Sequence, residues 1–351
     1  MLSPTLLLFI GALGAFDPAP ALRALEHSEG RWAAMSQILG LGPVDLQAAR
    51  DNDRLLEAVA RVLDDPILPV SHRIIAARTL ARLRGGAETC ARQLTRGADT
   101  PEGIVVARAA AVTLRQLDTA PARKLLRVGL AHPDPEVRAT AAAAGPDVGL
   151  VCTVLQSDRW PQVRARAAEG LAMADAQSEA PACLVKALSD GAPTVQRAAA
   201  ASLVRLAPTA AKQPLLTLAA NPKGDLAARS EALAALGALG VLDPAKQVLE
   251  THLSKGGIEP LALGATRGLA LSDSDEALPL LRAALSSGHP PVWRMAAEAL
   301  VARKDPETLP LLKAKLSKAT ARERAVLQPL VQLLETVDTP PEDEALEDED
   351  L

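Results

Sequence analysis

A nine-residue pattern keeps returning along this chain: an aliphatic residue, an Arg one or two places later, an Ala pair, and Leu eight places on. It reads VRARAAEGL at Val163–Leu171, VQRAAAASL at Val195–Leu203 and VWRMAAEAL at Val292–Leu300. Weaker copies run over Val106–Leu114, Val137–Gly145, Ala228–Leu236 and Leu261–Leu269. The closing positions Leu80, Leu114, Gly145, Leu171, Leu203, Leu236, Leu269, Leu300 and Leu330 stand 34, 31, 26, 32, 33, 33, 31 and 30 residues apart. Self-similarity at that period marks stacked helical units, none of which buries its apolar face alone.

On a helix, the first aliphatic residue, the Ala four later and the Leu eight later fall on one apolar stripe. Ala in the middle of the stripe lets a neighbouring helix come close and is the best helix former. A second apolar segment precedes each copy, as in GLVCTVLQSD, KQPLLTLAAN and ALPLLRAALSS. Between the two lie Asp, Gly and Pro, as in HPDPE, SDRWP, SDGAP and SGHPP. Pro ends the first helix and opens the second, where its missing N–H is not needed. Each unit therefore reads as helix, tight turn, helix. No run alternates apolar and polar residues as a half-buried strand would.

These residues resemble the HEAT-repeat family, in particular its bacterial short-repeat, phycobilisome-lyase-like branch, over roughly residues 52–336. The resemblance implies an all-α, right-handed α-solenoid of about nine helical pairs with the second helices on its concave face. It also implies a ladder in which a turn Asp and a second-helix Arg join successive repeats. Asp134, Asp158 and Asp190 match the Asp position; Arg138 and Arg164 match the Arg position, and Arg229 does so after a small residue. Arg108, Arg197 and Arg294 sit one place later. On an ideal helical wheel that shift turns them to about 200°, away from the stripe, so they are expected to face solvent, either as a partner-binding row or as a plain solvated face. Trp160 and Trp293, at the start of second helices, are expected at the rim of the same face. Trp is enriched at binding hot spots, although covering the end of a repeat is the plainer role.

Hydrophobic residues make up 48% of the chain, but there is no Tyr and only three Trp and two Phe, so Ala and Leu must do nearly all the packing. That leaves little with which to build aromatic stacking platforms for single-stranded nucleic acid. The stretch Glu342–Asp350 holds seven of the 42 acids; without it the balance is 38 basic to 35 acidic residues, or +3. A near-neutral array is poorly suited to duplex binding, which depends on clustered cations. Residues 337–351 read as an acidic, unfolded tail after Pro340-Pro341. The opening apolar run Leu6–Ala15 resembles a secretory signal and points to export to the periplasm or cell envelope; the alternative is a buried first helix of a cytoplasmic protein. Residues 16–51 are helical but off-pattern, as a terminal cap should be.

Cys90, Cys152 and Cys183 form no C-x-x-C and have no neighbouring His, so no zinc site is implied. They read as small core residues, with an inter-repeat Cys152–Cys183 disulfide possible in an exported chain. The chain contains no H-E-x-x-H, G-x-S-x-G, phosphate-binding loop or dinucleotide fingerprint. Nor does it contain the His-Glu dipeptide that the family's iron hydroxylases use. No catalytic, metal or cofactor residue is therefore assigned. The leading expectation is a non-enzymatic scaffold for a protein partner. A lyase-type enzyme or accessory subunit, and a nucleic-acid-binding HEAT protein, are the alternatives.

Overall fold

The computed structural model describes residues 16–27 and 29–338. The apolar run before residue 16 and the acidic tail lie outside the described residues, and so do the export signal and solvated tail expected of them. The described residues form twenty-one α-helices and two short 3-10 turns, with no strand among them. By their internal contacts they divide into two compact units, with the boundary in the sequence between residues 174 and 181.

The first unit opens with three short helices, α1 (Pro18–Glu26), α2 (Arg31–Leu39) and α3 (Pro43–Arg50). Four pairs follow: α4 (Asp53–Asp64) with α5 (Val70–Leu83), α6 (Ala87–Gln93) with α7 (Pro101–Leu117), α8 (Ala120–Leu125) with α9 (Pro135–Ala143), and α10 (Val148–Ser157) with α11 (Pro161–Leu171). The second unit holds five pairs: α12 (Ala180–Ala187) with α13 (Pro193–Leu206), α14 (Lys212–Ala220) with α15 (Leu226–Ala238), α16 (Asp243–Lys255) with α17 (Glu259–Leu271), α18 (Ala277–Ala284) with α19 (Pro290–Ala302), and α20 (Thr308–Ser317) with α21 (Ala321–Asp338). The eighth helix is shorter than its apolar sequence suggests, because the chain tightens to 3-10 geometry over Leu126–Ala131.

The turn chemistry acts as the sequence implies. Pro101, Pro135, Pro161, Pro193 and Pro290 each occupy the first position of a second helix. Asp134, Asp147 and Asp225 cap helix N-termini by accepting from backbone N–H groups, which supplies orphan donors with a partner. The apolar stripe is the core. Val106, Ala110 and Leu114, Val163, Ala167 and Leu171, and Val292, Ala296 and Leu300 are all buried. Burying each such Val or Leu contributes about 1.5–3 kcal/mol.

Small residues set how closely second helices approach. A Cβ placed on Gly170 of α11 would lie 2.0 Å from the carbonyl oxygen of Ala142 in α9, and one on Gly237 of α15 would lie 2.2 Å from the carbonyl carbon of Gly268 in α17. Only a bare backbone fits at either place. Gly145, at φ +56°, ends the ninth helix early and lets the shortest repeat close against Gly170.

Candidate interaction surface

The Arg–Asp ladder is present in the first unit and includes one arginine that the helical wheel turns outward. Arg138 donates to both carboxylate oxygens of Asp158, at 2.6 and 3.3 Å, and to the carbonyls of His132 and Pro133, each at 2.8 Å. Arg108 donates to Asp134 in the same two-point way, at 3.0 and 2.6 Å. Arg108 is therefore a bridging residue and not a free member of a binding row. A long guanidinium stem reaches sideways from a position whose Cβ points away, and the ideal wheel ignores that reach.

Burial pushes the Asp134 carboxyl up, but the bonds from Arg108 and the Val137 N–H outweigh it and hold it below the usual carboxylate range. Asp158 is held low in the same way, burial being opposed by Arg138 and the Trp160 N–H. The other matching positions also bond to the turn backbone. Arg164 donates to the Asp158 carbonyl at 2.8 Å, and Gln196 reaches the Asp190 carbonyl at 2.7 Å, while Asp190 itself accepts from the Ala192 N–H. Arg229 donates to the Ala219 carbonyl at the end of α14, 3.0 Å away, and makes no bond to an Asp of the following repeat. Its expected rung is absent because the next turn reads Lys255-Gly256-Gly257-Ile258-Glu259, with no Asp.

A further link of the same kind lies where the repeat pattern offers no Arg. Arg282 of α18 forks onto Asp305, which also accepts from the Thr308 hydroxyl at 2.6 Å, and Arg282 pairs with Glu307 at 2.8 Å. The Arg282 bond, helped by Thr308 and opposed by burial, holds the Asp305 carboxyl low. The Asp-x-x-Thr spacing of a capped turn was the available signal for this residue; nothing in the sequence pointed to its arginine.

The two tryptophans separate. Trp160 is 40% exposed, with the Arg159 guanidinium 5.5 Å from its ring, as a rim residue would be. Trp293 is only 2% exposed, so it is a core residue and not a rim anchor. Its indole N–H has no acceptor among the described residues, and Lys315 stands 4.8 Å from the ring. The first turn of α19 rotates its Cβ inward, beside the Val292 stripe.

Of the outward arginines, Arg197 is exposed and makes no hydrogen bond or ion pair among the described residues. Arg294 is exposed and pairs with Glu298 at 2.8 Å along its own helix. Arg294 also borders a groove of about 570 Å³ in the second unit, formed by the second helices α17, α19 and α21. Its apolar wall is Leu263, Met295 and Val326, and one edge of Trp293 reaches it. Arg322, which lies outside the repeated pattern, lines the same groove and makes no ion pair among the described residues. Elsewhere, Cys90 is a buried free thiol, pushed up to about 12 by burial.

Repeated helical pairs, tied in places by two-point Arg–Asp contacts, define an all-α repeat protein. The HEAT-repeat profile matches residues 150–237 and 259–329, and those spans carry HEAT repeats. No curated protein matches the sequence. Among solved structures it is similar to an engineered protein, at 20% identity over 91% of this chain and 99% of that one, TM-score 0.46. It is also similar to YibA of Escherichia coli, at 17% identity over 88% and 98%, TM-score 0.46. A third match is the CpcE–CpcF complex of phycocyanin lyase from a Nostoc species, at 22% identity over 78% and 96%, TM-score 0.32. No helix among the described residues is long and apolar enough to cross a membrane.

Proposed function

We propose that this chain is a non-enzymatic scaffold that holds a partner protein on the second-helix face of its second unit. The observation that supports this reading is the groove between α17, α19 and α21. There Leu263, Met295 and Val326 offer an apolar strip while Arg294, Glu298 and Arg322 stand beside it. An apolar centre with charged surroundings is the usual anatomy of a protein contact, in which Arg is enriched.

The test is affinity capture with the full chain beside a Met295→Glu, Val326→Glu double variant. Both residues are only half-buried, so the variant should melt close to the wild type. The scaffold reading expects a discrete protein retained by the wild type and lost from the variant. A protein retained equally by both would move the binding surface elsewhere.

A further inference from the structure

A second groove in the second unit lies on the opposite, first-helix side, between α14 and α16, with a volume of about 810 Å³. Its origin is the glycine contact between the second helices of the same two pairs. A Cβ on Gly264 would meet the Ser230 carbonyl oxygen at 2.4 Å, and one on Gly268 the Leu233 carbonyl oxygen at 2.6 Å, in addition to the Gly237–Gly268 approach. The backbones of α15 and α17 therefore touch along their length, while α14 and α16 share almost no direct contact. Two pairs hinged so tightly on one side are wedged open on the other.

Along α16 the groove is lined by Pro244, Gln247, Val248 and Thr251, the i, i+3, i+4, i+7 stripe of a helix face. Leu216 of α14 and Ile258, half exposed at the start of α17, complete an apolar trough. The hydroxyl of Thr251 donates back to its own helix, to the Gln247 carbonyl at 2.8 Å. The lining carries a single charge, that of Arg229. Arg229 spends its Nε on the Ala219 carbonyl and makes no ion pair among the described residues, because glycines stand in the turn where a ladder Asp belongs. An apolar trough with one unneutralised guanidinium and no acid in its wall is complementary to an apolar helix carrying one carboxylate.

We infer that the α14–α16 groove docks an amphipathic helix of a partner protein, whose Glu or Asp side chain occupies the missing ladder position on Arg229. This rests on the scaffold reading only in taking the ligand to be a polypeptide. Grooves between helices take helices that present anchors at i, i+3, i+4 and i+7. The stripe from Pro244 to Thr251 spans about 10 Å at 1.5 Å per residue, matching two turns of ligand helix.

The test is a phage-displayed library of 16-residue helical peptides selected on the full chain, with selected peptides measured against variants. The inference expects selected peptides to share an apolar stripe and one acid. Glu→Gln in the peptide and Arg229→Gln in the chain should each weaken binding about tenfold, the worth of a hydrogen bond to a charged group, and together little more than either alone. Arg229→Lys should restore part of the affinity, and Val248→Asp should abolish binding. Peptides insensitive to Arg229→Gln and Val248→Asp, or no peptide enriched at all, would overturn it. Peptides lost with Met295→Glu would sink this inference while supporting the scaffold reading. If deleting residues 339–351 raises peptide affinity more than tenfold, the chain's own acidic tail, not a partner, is the occupant. Self-association abolished by Val248→Asp would assign the groove to a second copy, and either result overturns the partner assignment.

Discussion

Arg108 and Asp134 lie 26 residues apart and meet through two hydrogen bonds, 3.0 and 2.6 Å long, with the arginine side chain 48% exposed and the carboxylate 7%. The same carboxylate caps α9 by accepting from the N–H groups of Glu136 and Val137. One acid thus starts its own helix and ties it to the second helix of the preceding pair. Asp134→Ala removes both roles and should cost about 2 kcal/mol, about 1 for the cap and up to about 1 for an ion pair with a half-exposed arginine. Arg108→Ala should cost no more than about 1 kcal/mol. Urea denaturation of the two variants measures the difference.

The depressed carboxyls of Asp134, Asp158 and Asp305 give the chain a defined acid response. Each is held below its unfolded value by its arginine. The unfolded chain therefore takes up protons first as pH falls. The stability these groups contribute is complete above about pH 5, where unfolded Asp is almost fully ionised, and is lost as pH drops through their lower folded values. The Asp134→Asn, Asp158→Asn, Asp305→Asn triple variant should be less stable at pH 7 but should lose stability less steeply between about pH 4 and pH 2. Parallel slopes in that window would show that the ion pairs carry no acid sensitivity.

Trp293 and Trp160 should respond oppositely to truncation. Trp293→Ala empties a buried site and should cost about 3–5 kcal/mol. Trp293→Phe should cost much less, because it also removes an indole N–H that has no acceptor among the described residues. Trp160→Ala, at a 40% exposed position, should leave the melting temperature within a few degrees. Differential scanning calorimetry on the three variants decides it.

Gly237→Ala reverses the usual rule. In a free helix the change is favourable by about 1 kcal/mol. Here the new methyl would stand 2.2 Å from the Gly268 backbone, so α15 and α17 must separate, at a net cost of about 1–3 kcal/mol. A stabilised Gly237→Ala variant, seen by chemical denaturation, would show that the two helices are further apart than described.

These residues also show where the sequence speaks and where it stops. The apolar stripe, the proline-started second helices and the Arg138–Asp158 rung were legible because each follows from residue type at a fixed local spacing. The Arg108–Asp134 rung was misread because the wheel fixes a Cβ direction, whereas a long side chain covers a cone around it. Trp293 was placed at a rim because its position near a helix start says nothing of how the first turn is rotated. The Arg282–Asp305 link lies outside the repeat pattern. The two grooves depend on how far apart neighbouring helices stand. Gly237, Gly264 and Gly268 set that distance at the α14–α16 groove, and their joint effect appears only once the helices are side by side.

A partner held on the second-helix face of α17, α19 and α21 would be caught by photo-crosslinking in cells of the native organism. A benzoyl-phenylalanine in place of Met295 reports on that groove, and one in place of Leu311, exposed on the first helix α20, serves as the control. One discrete crosslinked protein is expected at position 295 and none at 311. Equal labelling at both positions, or none at 295 while the variant remains folded, would contradict it.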